Sequence, residues 1–188
     1  MTPEAGASVA PRSRMLWLSV GVTIALELLL GRLNAPLRTT PAPLGIVSFE
    51  LAHAEGVAAA IMASWNAAAR ETARLNLVVD YAFLIAYPIS LRLGCRIVAT
   101  RARDRWPRLA SVAAALGWGA VVAGVLDAVE NAALLRQLAA GPGSAMAAVA
   151  FWCASVKFAL VAIAIPFALP ALVPWPAAPA LIDAAKRR

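Results

Sequence analysis

A chain of 188 residues that is 62% hydrophobic and only 14% charged has too little polar surface to cover a soluble globule, whose domains carry about 25% charged residues. The composition therefore excludes an ordinary soluble domain and points to the bilayer. The formal net charge is +7, but its arginines lack the interleaved aromatics on which bases stack, so no nucleic-acid partner is expected.

Residues 1–14 read as a flexible cytoplasmic tail. Four mainly apolar segments follow, at about 15–33, 75–94, 109–135 and 146–172, each near the roughly 20 residues that cross a hydrocarbon core. The first follows Arg12 and Arg14 as a secretory signal would. Glu27 interrupts it, however, and "LNAPL" offers no small-x-small cleavage site, so it is read as a retained helix. The Pro-rich "NAPLRTTPAPLG" must run extended or turned. From Ser48 the spacing becomes helical again, with Ser48 as N-cap and Leu51, Ala54, Ala58, Ile61 and Trp65 on one face. This predicts an outer amphipathic helix over about 48–66, with a bend near Asn66. "GPGS" at 141–144 is a tight turn that makes the third and fourth spans antiparallel neighbours. Pro166, Pro170, Pro174 and Pro176 break or kink the end of the fourth span, and 173–188 reads as a basic cytoplasmic tail. The expected fold class is all-α: a four-transmembrane-helix bundle, one domain over 15–172, with an extra outer amphipathic helix between the first two spans.

The basic residues divide unequally. Arg12, Arg14, Arg92, Arg96, Arg101, Arg103, Arg105, Arg108, Lys186, Arg187 and Arg188 fall on one side, and only Arg32, Arg38, Arg70, Arg74 and Arg136 on the other. The positive-inside rule then puts both termini and the 95–108 loop in the cytoplasm of a bacterial inner-membrane, multi-pass protein. Trp17, Trp106 and Trp175 would mark that interface, and the expected partners are the bilayer and its anionic headgroups at the Arg-rich loop. Cys95 and Cys153 form no C-x-x-C, and a single histidine excludes a haem held by two, so no cofactor is expected.

Each span carries one small or polar stripe. These are Ser19, Thr23, Glu27, Gly31 and Asn34 in the first; Asn76, Asp80, Leu84 and Tyr87, with Tyr81 beside it, in the second. In the third they are Ala113, Gly117, Ala120, Gly124, Asp127 and Asn131, and in the fourth Ala150, Ala154, Lys157, Val161, Ala164 and Ala168. Such stripes face other helices, because a lipid-facing carboxylate costs at least about 2.5–3.5 kcal/mol at the bilayer centre. At about 1.5 Å of rise per residue, Glu27 and Asp80 lie roughly 8–9 Å below the outer ends of their spans, Asp127 roughly 12 Å and Lys157 roughly 16 Å. Glu130 and Asn131 fall one turn shallower than Asp127, near the outer mouth.

The pattern predicts a buried polar cluster in the outer half, with Lys157 the only cation among Glu27, Asp80, Asp127 and Glu130, and with Asp127 as its first partner. The remaining carboxylates would be protonated, reached by water or a cation, or hydrogen-bonded to Tyr81, Tyr87, Asn76 or Asn131. Three roles compete. The cluster is a pocket for a lipophilic ligand or a coupled proton; or it is packing glue in an accessory subunit that associates with other proteins or itself; or, third, it belongs to an intramembrane enzyme. Catalysis has the least support. Ser155 and Lys157 diverge at two residues apart, and no recognised catalytic spacing is present. Glu50 and His53 form an E-x-x-H pair, half of a di-iron motif and a weak metal candidate; the plainer reading is the polar face of the outer helix.

In "FELA" (49–52), "DYAFLIAYP" (80–88) and "LDAVENAALL" (126–135) the chain resembles small, uncharacterised four-helix bacterial integral membrane proteins. That resemblance implies the fold over most of 15–165 and no activity. A glutamate in the first span, Glu27, is also similar to small multidrug exporters, which are shorter and lack the long segment between the first two spans.

Overall fold

A computed structural model describes residues 9–173. They form α1 (Val9–Asn34), α2 (Ile46–Glu50), α3 (Glu55–Ser64), α4 (Ala67–Ala102), α5 (Pro107–Ala140) and α6 (Ser144–Ala168). Single 3₁₀ turns at Ala35–Leu37 and Leu169–Leu172 complete the elements, and the described residues include no strand. Four of the helices are long and apolar enough to cross a membrane. The chain is therefore a multi-pass membrane protein by helix length and composition.

The first helix starts earlier than expected. The stretch taken as a tail over 1–14 is helical from Val9 onward, and Pro11 is no obstacle there because first-turn N–H groups have no intrahelical acceptor. Residues 1–8 and the basic tail from 174, with Pro174, Trp175 and Pro176, lie outside the described residues. Helices α4 and α5 run to 36 and 34 residues. They overrun the apolar segments because hydropathy marks only the length matched to hydrocarbon, while the helix continues through its arginine-bearing flanks. Asn66 starts α4 as its N-cap, accepting the Ala69 N–H at 2.8 Å.

The segment predicted as one helix over 48–66 is two, α2 and α3, broken at 51–54. Packing explains the break. On a continuous helix Phe49 and Trp65 would stand about 24 Å apart, whereas their rings meet edge-on at 5.4 Å. Folding back lets Phe49, Ile61 and Trp65 join Leu37, Leu77, Leu134 and Leu138 in one apolar core that caps this end of the helices. Trp65 Nε1 donates to the Leu37 carbonyl at 2.8 Å, so its one polar atom is satisfied. Ser48 is not the N-cap of a long helix; it lies within α2, and its hydroxyl accepts the Leu44 N–H. Gly45 leads into α2 at φ 65°, and a Cβ there would collide with Asn34 Oδ1. Asn34 holds this corner, accepting from Ile46 N at 2.7 Å and donating to the Leu44 carbonyl at 3.1 Å.

Helix α4 is the hub. Helix α1 packs along one side of it and α5 along the other, while α6 lies against α5 and α4. Small residues permit the close approaches. Pro88 lacks the N–H that would bind the Leu84 carbonyl, and bare Gly124 of α5 fits against this stretch: a Cβ there would lie 2.8 Å from Pro88 Cγ and 2.9 Å from that carbonyl. Ala113 and Ala120 on the same face of α5 are fully buried. Helices α1 and α6 make at most a glancing contact, so a gap runs between them, floored by α4.

Candidate functional site

Along the buried face of α6, Ala150, Ala154 and Ala164 leave room for one long side chain, Lys157. Its Nζ lies 2.7 Å from Asp127 Oδ1, 2.9 Å from Glu130 Oε2 and 3.6 Å from Glu50 Oε2. All four residues are buried, so the amine has the partners that removal from water demands. Asp127 and Glu130 share one face of α5 at a three-residue spacing, and Glu50 descends from the end of α2. Glu130 is thus not near the mouth, as its position along the helix suggested. It has no exposed surface, and it touches Lys157 as an ion pair without a well-directed hydrogen bond.

Glu50 is the member that sequence reasoning missed. It was assigned to a polar helix face and to a metal pair with His53, but α2 ends at Glu50, so no helical turn aligns the two. Glu50 turns inward, while His53 is exposed with its ring 6.0 Å from that of Phe151. Among the described residues no group of three His, Cys, Asp or Glu side chains is arranged to hold a metal ion. Burial pushes the Glu50 carboxyl above the ordinary carboxylate range; Lys157 opposes the shift and Asp127 adds to it. The one signal for Glu50 in the sequence is that it directly follows an aromatic residue, Phe49.

Asp80 stands apart from the lysine. Its Oδ2 accepts a 2.7 Å hydrogen bond from Asn131 Nδ2, and it has no ion pair with any described residue. The other expected donors go elsewhere: Asn76 donates to the Leu30 carbonyl at 3.1 Å and Tyr81 to the Ala128 carbonyl at 3.3 Å. The Tyr87 hydroxyl is buried and makes no well-directed hydrogen bond with a described residue. Thr23 and Ser90 pair across α1 and α4 at 3.0 Å.

Thr23, Asn76, Asp80, Tyr87 and Ser90 line the gap between α1 and α6, a cavity of about 460 Å³. Its polar end is formed by Glu27, Asn34, Glu50, Asn76, Asp80, Asp127 and Lys157, all near the capped end. Toward the other end it becomes apolar, through Val20, Leu91, Val161 and Ile165 to Leu16 and Leu172. Ile24, Phe158, Ile165 and Leu169 line it while remaining exposed, so they form lips that open sideways. Glu27 was expected to point into the bundle. It is exposed on this open side, because no described helix covers the flank of α1 that faces α6. Ser155 donates to the Phe151 carbonyl within its own helix, so it forms no nucleophile–base pair with Lys157.

The arrangement is therefore a long apolar slot with a polar head, carboxylate-rich and containing one lysine that three carboxylates already hold. No family model, no curated protein and no solved structure matches the chain.

Proposed function

We propose that this protein binds a lipophilic ligand, taken sideways from the bilayer into the cleft between α1 and α6. The observation that supports the reading best is the cleft itself: its lips are exposed apolar side chains on spanning helices, and its charged lining residues gather at one end. Its volume falls within the roughly 300–1,000 Å³ of small-molecule sites. In this reading the helices form a bundle in the bacterial inner membrane, with α2 and α3 as an outer cap. The 11-to-5 division of basic residues supports both termini in the cytoplasm and the polar end of the cleft toward the outside.

Gly31 supplies the test. It lines the cleft, and a Cβ built on it would meet nothing within 4 Å. Gly31→Phe should therefore fill the space without disturbing the helices. Wild-type protein purified in mild detergent should carry a lipid or other lipophile, detected by mass spectrometry of the extract, and the variant should lose it while keeping its helix content and its elution volume. Equal lipophile content in the two would sink the reading.

A second reading has one observation in its favour: α1 is held along a single side. The cleft would then seat a helix of a partner subunit. Stoichiometric protein that co-purifies with wild type and is shed by Gly31→Phe would support it over the ligand.

A further inference from the structure

Resting on that reading, the charges around the cleft point to the kind of ligand. Two carboxylates line it, Glu27 on the α1 wall and Asp80 on the α4 floor. Neither forms an ion pair with any described residue. Among the described residues Lys157 is the only basic one lining the cleft, and Asp127, Glu130 and Glu50 already surround it. Tyr87, on the same helix as Asp80, is 6% exposed and lines the same cavity, and its hydroxyl makes no well-directed hydrogen bond with a described residue. A buried hydroxyl of this kind is normally well satisfied, so the Tyr87 oxygen remains an acceptor for a guest that carries N–H donors. The Phe83 and Tyr87 rings lie 5.1 Å apart and both line the cleft, as does Phe158.

We propose that the cleft takes an amphiphile with a single cationic head, a protonated lipophilic amine, its charge beside Glu27 and Asp80 and its chain along the apolar wall. Unpaired carboxylates supply the counter-charge, and the aromatic faces supply a surface that attracts such a cation. A phosphate-bearing headgroup fits poorly, since it would set a second anion among carboxylates with no uncommitted cation to receive it. About 16 Å of helix separates Glu27 from Leu16 along α1, which suits a chain of about a dozen carbons.

The test uses the full chain in nanodiscs of neutral lipid and four probes of equal chain length: dodecylammonium, dodecanol, dodecylphosphocholine and dodecyl sulfate. Affinity is read from the rise in melting temperature with probe concentration, below the micellar range. The ammonium should bind at least about tenfold more tightly than dodecanol, as a charge-assisted contact does over a neutral one. Asp80→Asn and Glu27→Gln should each reduce that preference to about twofold or less, and Gly31→Phe should abolish protection by every probe. If Asp80→Asn fails to fold, Glu27→Gln still carries the test, because Glu27 is exposed and without a described partner. Equal protection by all probes, lost in Gly31→Phe, would refute the cationic ligand and leave the cleft reading standing. Protection by dodecylphosphocholine equal to that by the ammonium would refute it in favour of a lipid headgroup. No protection by any probe would remove both.

Discussion

Lys157 Nζ meets Asp127 Oδ1 at 2.7 Å across the α5–α6 hairpin, and the same amine also contacts Glu130 at 2.9 Å and Glu50 at 3.6 Å. One cation therefore holds three carboxylates, drawn from two spanning helices and from the cap. An isolated buried pair behaves symmetrically, and removing both partners relieves the cost of removing either. A shared lysine does not.

The first prediction is an order of stabilities. Lys157→Met strands three buried carboxylates and should cost about 3–5 kcal/mol, the usual penalty for an unpaired buried charge. Asp127→Asn leaves the amine with Glu130 and Glu50, and should cost less than half as much. The double variant should gain little over Lys157→Met, because two acids remain without a cation. Melting temperatures in one detergent decide it. Equal losses for the two single variants, or a double variant near wild type, would mean that the lysine serves Asp127 alone.

Close helix approach gives the second prediction. Gly124→Ala drives a methyl group onto Pro88 and the Leu84 carbonyl, both too near to yield easily, and should cost about 1–3 kcal/mol as overpacking does. Gly31→Ala introduces the same methyl group where nothing lies within 4 Å, and should be neutral or gain up to about 1 kcal/mol from helix propensity. A Gly124→Ala protein as stable as wild type would show that α4 and α5 are free to separate there.

The spans and stripes were legible in the sequence because both depend on local periodicity. The α5 stripe from Ala113 to Asn131 is buried throughout, as its spacing required. What periodicity misses is the choice of neighbour. The stripe on α1 holds Thr23 against Ser90 yet leaves Glu27 on an open flank, because α1 is covered by α4 on one side and by no described helix on the side toward α6. Depth counting placed Glu130 near the mouth, since it measures distance along a helix and takes no account of a cap folded over the end. Glu50 escaped for the same reason. Its inward turn follows from the break after α2, which the long-range meeting of Phe49 and Trp65 imposes.

The third prediction concerns Glu50, which lies outside the spanning helices. Burial raises its carboxyl in the folded protein above the ordinary range, so across the interval between the two values the folded state holds a proton that the unfolded state has released. Stability from this group is then fully present below the ordinary carboxylate range and is lost as pH rises toward the raised value. Glu50→Gln removes the titration. The variant's melting temperature should therefore fall less than that of wild type between mildly acidic and neutral pH, with Lys157, Asp127 and Glu130 unchanged in both. Parallel curves for the two proteins would show that Glu50 is not held in this environment.

The last prediction separates structure from recognition at Asp80. Its Oδ2 is the acceptor for Asn131 Nδ2 at 2.7 Å, and Asn131 is buried. Asp80→Leu would strand that amide and should cost about 1–3 kcal/mol, the penalty for a buried donor without an acceptor. Asp80→Asn keeps a carbonyl oxygen in the same place and should leave the stability of the lipophile-free protein within about 0.5 kcal/mol of wild type, as a substitution that preserves its hydrogen bond does. If the carboxylate existed only to hold Asn131, the amide would replace it in every respect. Because Asp80 also lines the cleft without a cation of its own, the amide should keep the fold and lose the retained ligand. Asp80→Asn purified beside wild type, with lipophile content measured as purified and melting temperature after the lipophile is removed, makes the comparison. An amide variant that keeps both would assign Asp80 to packing alone, and one that loses both would show that its charge, as well as its hydrogen bond, holds α4 to α5.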